Sequence, residues 1–177
     1  PVYRKNPQKI IDDYSRFSLY AEGAGKNEVT ILWGSMYGMT AKAVDYVESI
    51  LQREGVKYNK LQMPLESDSE MIATVFKSAG VIIAAPTYEY KLFPPVAAAL
   101  NKLGGKRITG KLAFRLGSYG WSGGAEKELN EIIERNKMNW NFIESVEFEG
   151  APKEEDLVKI EARILELIKK MREKVIE

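Results

Sequence analysis

Residues 29–47 read VTILWGSMYGMTAKAVDYV, and this stretch decides the predicted fold. It opens with VTILW, a short apolar run rich in β-branched residues, as expected of a strand buried on both faces. The letters GSMYGMT follow, and their glycines, serine and threonine are typical of a tight loop. Apolar residues then recur at a helical spacing, at Ala43, Val47, Ile50 and Leu51. The stretch therefore predicts a strand, a loop and a helix in that order.

The same alternation of apolar runs and helical stripes continues to the end of the chain. Further strands are predicted at residues 56–61, 81–85, 112–116 and 142–148. Further helical stripes lie at residues 71–76, 96–100, 125–133 and 157–175. Strands that alternate with helices predict an α/β fold, a doubly wound sheet of five parallel strands between two layers of helices.

Composition limits the chemistry that this chain can perform. Its 177 residues suit one domain of ordinary size. The absence of histidine and cysteine excludes a thiolate nucleophile, an iron–sulfur cluster and a histidine base. The 26 basic and 25 acidic residues are interspersed, which argues against a nucleic-acid partner. No apolar run approaches a membrane span or a signal peptide, so we expect a cytoplasmic protein whose chemistry comes from a bound cofactor.

The loops that follow the first, third and fourth predicted strands are the candidate binding loops, because ligands bind beyond the carboxyl ends of such strands. In the first, Gly34 and Gly38 permit close backbone approach, while Ser35 and Thr40 offer hydroxyls at a helix start that favours an anion. The loop lacks the Gly-Lys-Ser/Thr ending of a Walker A motif. It predicts a phosphate site, although the same residues also suit a simple turn and helix cap.

The second and third loops are rich in aromatic residues. PTYEYKLFPP at residues 86–95 contains Tyr88, Tyr90 and Phe93 between prolines, and GSYGWSGG at residues 117–124 contains Tyr119 and Trp121. Rigid aromatic loops suit stacking on a planar ring, although the same aromatics could form a contact between protein copies. With the first loop they predict flavin mononucleotide (FMN), its phosphate at residues 35–40 and its ring between the other two loops.

Three motifs, GSMYGMT, APTYEYKLFPP and GSYGWSGGA, resemble the flavodoxin-like domain of the flavodiiron proteins, also called A-type flavoproteins. SYGWSGG is the most specific, and the resemblance runs from residue 28 to the end of the chain. PVYRKNPQKII at residues 1–11 resembles the link that joins the diiron domain of this family to its flavodoxin domain, usually after a His-Gly pair. We therefore expect a linker or lead-in helix at residues 1–27, an FMN-binding domain at residues 28–177, and a longer parent protein.

The resemblance implies a flavodoxin-like fold with strand order 2-1-3-4-5 and an electron-transfer role for the FMN. In this family electrons pass from a rubredoxin-like donor through FMN to a diiron site that reduces oxygen or nitric oxide. That site lies in a metallo-β-lactamase-like domain and its ligands include histidines, so this chain does not contain it. Head-to-tail dimers are usual among full-length members, which makes a homodimer a further expectation.

The resemblance also implies the residues that hold the cofactor. The phosphate and ribityl end would be bound by Ser35, Met36, Tyr37, Gly38, Met39 and Thr40. One edge of the ring would be lined by Pro86, Thr87, Tyr88 and Glu89, and the other by Ser118, Tyr119, Gly120, Trp121 and Gly123.

Two features depart from the common pattern. Glu89 and Tyr90 stand where many members have Asn-Asn, and a carboxylate near the ring would lower the flavin potential, unless Glu89 simply faces solvent. Arg115 falls inside a predicted buried strand, so we expect an acidic partner or a position at the sheet edge, and no catalytic role.

Two other functions share this fold. An independent flavodoxin-type electron shuttle would need the same site without a partner domain. A regulatory module such as a phosphorylation receiver is disfavoured, because the first strand ends in Trp33 and Gly34 and leaves no acidic metal-binding cluster there.

Overall fold

The computed structural model describes residues 6–173 and residue 175. Residues 1–5, 174, 176 and 177 lie outside the described residues, and so does the first part of the predicted link at residues 1–11. In chain order the elements are α1 (Pro7–Ala21), β1 (Lys26–Trp33), α2 (Met39–Arg53), β2 (Lys57–Gln62), α3 (Asp68–Lys77), β3 (Ser78–Ala84), β4 (Thr87–Tyr88), β5 (Lys91–Leu92), α4 (Pro94–Gly105), β6 (Leu112–Tyr119), α5 (Ala125–Arg135), β7 (Asn141–Glu149) and α6 (Glu154–Arg172).

Five parallel strands form one sheet in the order β2-β1-β3-β6-β7, and β4 and β5 form a separate hairpin. Counted without that hairpin, the order is 2-1-3-4-5, so the predicted doubly wound flavodoxin-like sheet is confirmed. The chain goes from β1 outward to β2 and then back across to β3. Such a reversal opens a crevice at the carboxyl ends of β1 and β3, where ligands bind in folds of this kind.

The central strands are buried as the sequence predicts. Every residue of β3 is buried, which agrees with its continuous apolar run. β1 begins at Lys26, earlier than the predicted start at Val29, because Lys26 already pairs with Ser78 of β3. A register irregularity between Lys26 and Val29 separates that first pair from the regular ladder, which explains why the apolar pattern starts later.

Helices cover both faces of the sheet, so side chains that alternate along a strand enter two separate cores. Ile31 of β1 packs in the core beneath α2 and α6, together with Ile50 and Ile164. Its neighbour Leu32 points to the opposite core, beneath α3, α4 and α5, where it packs with Leu100. Both faces of the sheet centre must be apolar for this arrangement, which is why the central strand β3 lacks a polar side.

The C-terminal helix α6 ends at Arg172, so the predicted helical stripe is confirmed except at Val175. Val175 instead forms an isolated parallel bridge with Gly25, just before β1. Within the described part of the chain, no helix is both long enough and apolar enough to cross a membrane.

The predicted helix near the N-terminus is present as α1, and it packs on the domain. The helix begins after Asn6, whose side chain accepts a hydrogen bond from the N–H of Lys9. Tyr20 is buried near its end, and its ring meets Phe76 of α3 edge-on, with the ring centroids 5.7 Å apart. Helix α1 therefore packs against the helical layer that contains α3.

Candidate functional site

A cavity of about 680 Å³ lies at the carboxyl ends of the parallel strands, where the three aromatic and glycine-rich loops meet. Its volume is in the range of sites for small molecules and cofactors, which is roughly 300–1,000 Å³. The residues that line it are Ser35, Met36, Tyr37, Met39, Pro86, Thr87, Tyr88, Glu89, Tyr90, Ser118, Tyr119, Gly120, Trp121, Ser122 and Gly150.

The first loop ends in a helix start that no side chain caps. Gly38 is the N-cap of α2 and has a φ of 81°, a left-handed conformation that favours glycine. Its N–H donates to the hydroxyl of Ser35 over 3.1 Å, and no side chain caps the first turn of α2. The N–H groups at a helix start have no partner within the helix and attract anions. This end of the cavity can therefore bind a phosphate.

The side chain of Thr40, which the resemblance placed at the phosphate, is hydrogen-bonded within the protein. Its side chain is fully buried, and its hydroxyl lies 2.9 Å from the hydroxyl of Ser118. The Thr40 side chain therefore joins the start of α2 to the end of β6 behind the cavity wall. Its backbone N–H, in the first turn of α2, is a candidate for phosphate binding.

The second loop is a hairpin whose turn adopts an uncommon backbone conformation. Glu89 and Tyr90 connect β4 to β5 and have φ values of 48° and 61°. A two-residue turn with both φ values positive is of type I′, which favours Asn and Gly. The two turn positions are the same two at which this sequence has Glu89 and Tyr90 in place of the Asn-Asn of many members of the resembled family. A left-handed conformation at a residue other than glycine costs on the order of 1 kcal/mol, so this hairpin is strained.

Contacts with α5 and the first loop hold the hairpin in place. The N–H of Leu92 donates to the carboxylate of Glu128 over 2.6 Å. The Tyr90 carbonyl lies so close to Gly124 that a Cβ on this glycine would be 2.4 Å from the oxygen. Phe93 packs directly on Gly34, where a Cβ would come within 2.7 Å of the ring. Phe93 therefore supports the first loop and is not one of the aromatics at the cavity.

The third loop begins where the backbones of β3 and β6 approach each other closely. A Cβ on Gly117 would lie 1.8 Å from the carbonyl oxygen of Ala85, so only glycine fits at this position. Farther along, the Tyr119 carbonyl accepts a hydrogen bond from the N–H of Gly150 over 2.9 Å, which joins the loop to the end of β7. Trp121 is fully exposed (101%) at the rim of the cavity. A large apolar ring in that position is free to cover a bound ligand.

One buried polar atom at the cavity has no partner among the described residues. The hydroxyl oxygen of Thr87 is buried and makes no hydrogen bond. Nearly all buried polar groups in folded proteins are hydrogen-bonded, so such an atom at a cavity wall indicates a place for a polar atom of a ligand. An uncapped helix start, aromatic walls and this hydroxyl fit the phosphate, the planar ring and the polar ring edge of FMN.

Most of the cofactor-binding residues predicted from the sequence line this cavity. Those at its wall are Ser35, Met36, Tyr37, Met39, Pro86, Thr87, Tyr88, Glu89, Ser118, Tyr119, Gly120 and Trp121. Three predicted residues are not among those that line the cavity, namely Gly38, Thr40 and Gly123.

The prediction from the sequence missed three residues that line the cavity, Tyr90, Ser122 and Gly150. Tyr90 and Ser122 stand within the quoted loops, so loop membership was the signal that could have found them. Gly150 follows β7, and only the position of β7 next to β6 brings it to the cavity.

The chain is similar in sequence to known nitric oxide reductases, although no family model matches it. A nitric oxide reductase of Moorella thermoacetica is 28% identical over 156 residues, which are 88% of this chain and 38% of that protein. An anaerobic nitric oxide reductase flavorubredoxin of Vibrio vulnificus is 29% identical over 131 residues, 73% of this chain and 26% of the relative. The chain thus spans well under half the length of these relatives.

Solved structures show the same fold. A variant of the flavo di-iron protein of Thermotoga maritima superposes with a TM-score of 0.81 at 23% identity, covering 95% of this chain and 41% of that one. The rubredoxin oxygen:oxidoreductase of Desulfovibrio gigas gives 0.78 at 24% identity, covering 88% of this chain and 38% of that one. A flavodoxin from the domain Archaea superposes with a TM-score of 0.69 at 18% identity, covering 82% of this chain and 99% of the flavodoxin chain.

Fold, strand order and the position of the cavity define a flavodoxin-like domain. The resemblance predicted from the loops is confirmed: the chain is similar to the flavodoxin-like part of flavodiiron proteins.

Proposed function

We propose that this chain is the FMN-binding electron-transfer domain of a flavodiiron oxidoreductase. The observation that carries the proposal is the cavity at the carboxyl ends of β1, β3 and β6, with an uncapped helix start at one end and aromatic walls at the other. The names of the relatives, which include flavorubredoxins and flavodiiron proteins, support a flavin.

The first loop would bind the phosphate and ribityl end of FMN. Residues Ser35, Met36, Tyr37 and Met39 line this part of the cavity. The first-turn N–H groups of α2 would donate to the phosphate, and the helix dipole would favour its negative charge. Gly38 contributes through its left-handed backbone, which favours glycine and turns the chain into the helix.

The second and third loops would hold the ring. Thr87 would hydrogen-bond its polar edge, and Tyr88, Tyr119 and Trp121 would exclude water from its faces. Flavins accept electrons one or two at a time, which is the chemistry that the bound cofactor supplies. The residues of this chain would bind it, orient it and set its electrostatic surroundings.

The relatives' names support a place for the chain in a larger electron-transfer system. They name nitric oxide reductases and a rubredoxin oxygen:oxidoreductase. We infer a cytoplasmic protein that receives electrons from a rubredoxin-like donor and passes them to a diiron metallo-β-lactamase-like domain, in the same parent chain or in a partner chain. Oxygen or nitric oxide would be the final acceptor, and a head-to-tail homodimer would bring flavin and iron together.

An independent flavodoxin-type shuttle is the second candidate. It is favoured by the match to the archaeal flavodoxin, whose chain is covered almost completely by a domain of this size. Determining the DNA sequence upstream of the codon for Pro1 separates the two. A reading frame that encodes clusters of histidines and acidic residues supports the flavodiiron parent, whereas a start codon near Pro1 supports the shuttle.

Titration of the purified chain with FMN tests the cofactor. We expect saturation at one FMN per chain, with quenched flavin fluorescence and a shifted absorbance spectrum. Riboflavin, which lacks the phosphate, is the matched control and should bind more weakly, because the helix start then has no anion to bind. A chain that takes up neither compound contradicts the proposal, and equal affinities contradict the phosphate site at α2.

A further inference from the structure

We propose that the ion pair between the buried Arg115 and the partly exposed Glu147 positions the loop at residues 117–124 and sets the reduction potential of the bound flavin. This inference rests on the proposed function, because it concerns the flavin at the same cavity. Neither residue lines the cavity, so both are positioning residues that act through the loop and through their charge.

Arg115 is a cation in the interior of the sheet. Its side chain is 1% exposed, and it lies in β6 with buried residues on either side. One guanidinium nitrogen, Nη1, donates to the Oε1 of Glu147 over 2.5 Å. The other two, Nε and Nη2, are buried and have no hydrogen-bond partner within the part of the chain that the structure describes. The expectation of an acidic partner is thus confirmed, and the pairing leaves the cation only partly compensated.

A β-bulge in β7 places Glu147 beside Arg115. Phe114 pairs with Ile143 and Leu116 with Val146, so two residues of β7 stand opposite Arg115 alone. This shift brings Glu147 opposite Gly117, on the face of the sheet that Arg115 occupies. Without the extra residue, Glu147 would stand opposite Ser118 and point to the other face. The local irregularity of β7 therefore serves to form this ion pair.

Both charged groups contact the loop from below. A Cβ on Gly117 would lie 3.3 Å from the Nη2 of Arg115, and a Cβ on Gly123 would lie 2.6 Å from the Oε2 of Glu147. Between these glycines stand Ser118 and Trp121, which line the cavity. The ion pair thus supports both ends of the loop that would cover the flavin ring.

Stability alone does not account for such a pair. Arg115 is buried while Glu147 keeps 26% of its side chain exposed, and burial of a charge such as that of Arg115 costs several kcal/mol. Apolar residues of similar volume in place of a buried pair are often as stable or more stable. Charges in the interior are, however, weakly screened, so they act on a nearby group far more strongly than surface charges do. Reduction adds negative charge to the flavin, so Arg115 would favour the reduced form and Glu147 would oppose it.

The test is the two-electron midpoint potential of FMN bound to the full 177-residue chain, in Arg115→Met and Glu147→Gln. Removal of the cation should lower the potential, and removal of the carboxylate should raise it. We expect each to change the ratio of affinities for reduced and oxidised FMN by roughly tenfold, about 30 mV for a two-electron couple. Arg115→Lys keeps the charge and should stay closer to the unsubstituted protein.

Glu144→Gln is the matched control, because Glu144 belongs to the same strand but pairs with Arg163 at the surface. Its potential should not change. If Glu147→Gln does not fold, the Arg115→Met/Glu147→Gln double variant replaces it, and its potential should return toward that of the unsubstituted chain. Equal shifts of both single variants in one direction, or no shift in either, overturn the inference while FMN binding stands. An unsubstituted chain that binds no FMN overturns the proposed function as well.

Discussion

The two ends of the parallel sheet differ in how completely their polar groups are paired. At the amino end, the ammonium of Lys111 is fully buried and donates to the carbonyls of Ala24 and Phe76, over 3.2 and 2.8 Å. There the indole N–H of Trp140 donates to the carbonyl of Ile108 over 2.8 Å. At the carboxyl end, the buried hydroxyl of Thr87 has no hydrogen-bond partner in residues 6–173 or at residue 175. The amino end closes the fold, whereas the carboxyl end keeps polar groups available for a ligand.

Helix starts also differ, in this case between those beside the cavity and those away from it. The side chains of Asn6 and Ser67 cap α1 and α3, each by accepting a hydrogen bond from a backbone N–H. The helices that begin beside the cavity, α2 and α5, instead have Gly38 and Gly124 at the N-cap and no side-chain cap. Glycine in place of a capping side chain costs only about a few tenths of a kcal/mol of helix stability. At the cavity, a bound anion would take the place of the cap.

Substitution at the amino end should give the largest change in stability and leave the ligand site intact. Lys111→Ala removes the donor of two carbonyls and opens space in a fully buried position. We expect the free energy of unfolding to fall by about 3 kcal/mol, measured by urea denaturation. FMN affinity of the folded protein should stay the same within twofold. A large loss of affinity would show that the two ends are coupled.

Substitution at the carboxyl end should instead leave stability nearly unchanged and weaken FMN binding. Trp121→Ala removes a fully exposed ring, so we expect the free energy of unfolding to change by less than about 0.5 kcal/mol. FMN binding should weaken by ~1 to 3 kcal/mol, because the ring would lose its aromatic cover. Fluorescence titration measures the affinity. Unchanged affinity would remove Trp121 from the binding site.

The contrast between the two ends also separates what the sequence could predict from what it could not. Apolar runs such as residues 81–85 predict buried strands because both faces of a doubly wound sheet are covered. The loops at the cavity are evident because close backbone approach and aromatic walls require particular residue types. Gly117, which must fit against the Ala85 carbonyl, is an example. These features depend on residue type, so they can be recognised in one sequence.

Features that depend on the partner strand could not be predicted. The face on which Glu147 lies is decided by a bulge opposite Arg115, and a slip of one residue would reverse it. Gly150 reaches the cavity only because β7 lies beside β6. The Thr40 hydroxyl lies 2.9 Å from that of Ser118, a pairing between residues far apart in the chain. In each case the deciding contact is with a residue distant in the chain.

Two matched hydroxyl pairs allow a finer test of the difference between the ends. Thr40 bonds Ser118 beside the cavity, over 2.9 Å, and Thr30 bonds Ser78 away from it, over 2.7 Å. All four side chains are buried. Both Thr40→Val and Thr30→Val should therefore lower the free energy of unfolding by about 1 kcal/mol. Only Thr40→Val should also weaken FMN binding, several-fold in fluorescence titration, because it frees the first loop from the third. Equal affinities in the two variants would contradict this role of Thr40.

The smallest expected effect concerns pH and lies on the outer surface of α2 and α6, away from the cavity. Hydrogen bonds from the hydroxyl of Tyr46, over 2.8 Å, and the guanidinium of Arg53, over 2.6 Å, lower the pKa of the Glu161 carboxyl. A depressed pKa means that the folded state holds fewer protons than the unfolded state. This stabilisation is therefore present above the ordinary glutamate pKa of about 4.3 and is lost as the pH falls through the lower, folded-state value.

Glu161→Gln removes the titrating group, so its free energy of unfolding should depend less steeply on pH below about 5 than that of the unsubstituted chain. At pH 7 its FMN affinity should be unchanged, because Glu161 does not line the cavity. Urea denaturation between pH 3 and 7 measures the slopes, and parallel curves would show that the contact between α2 and α6 adds no pH-dependent stability.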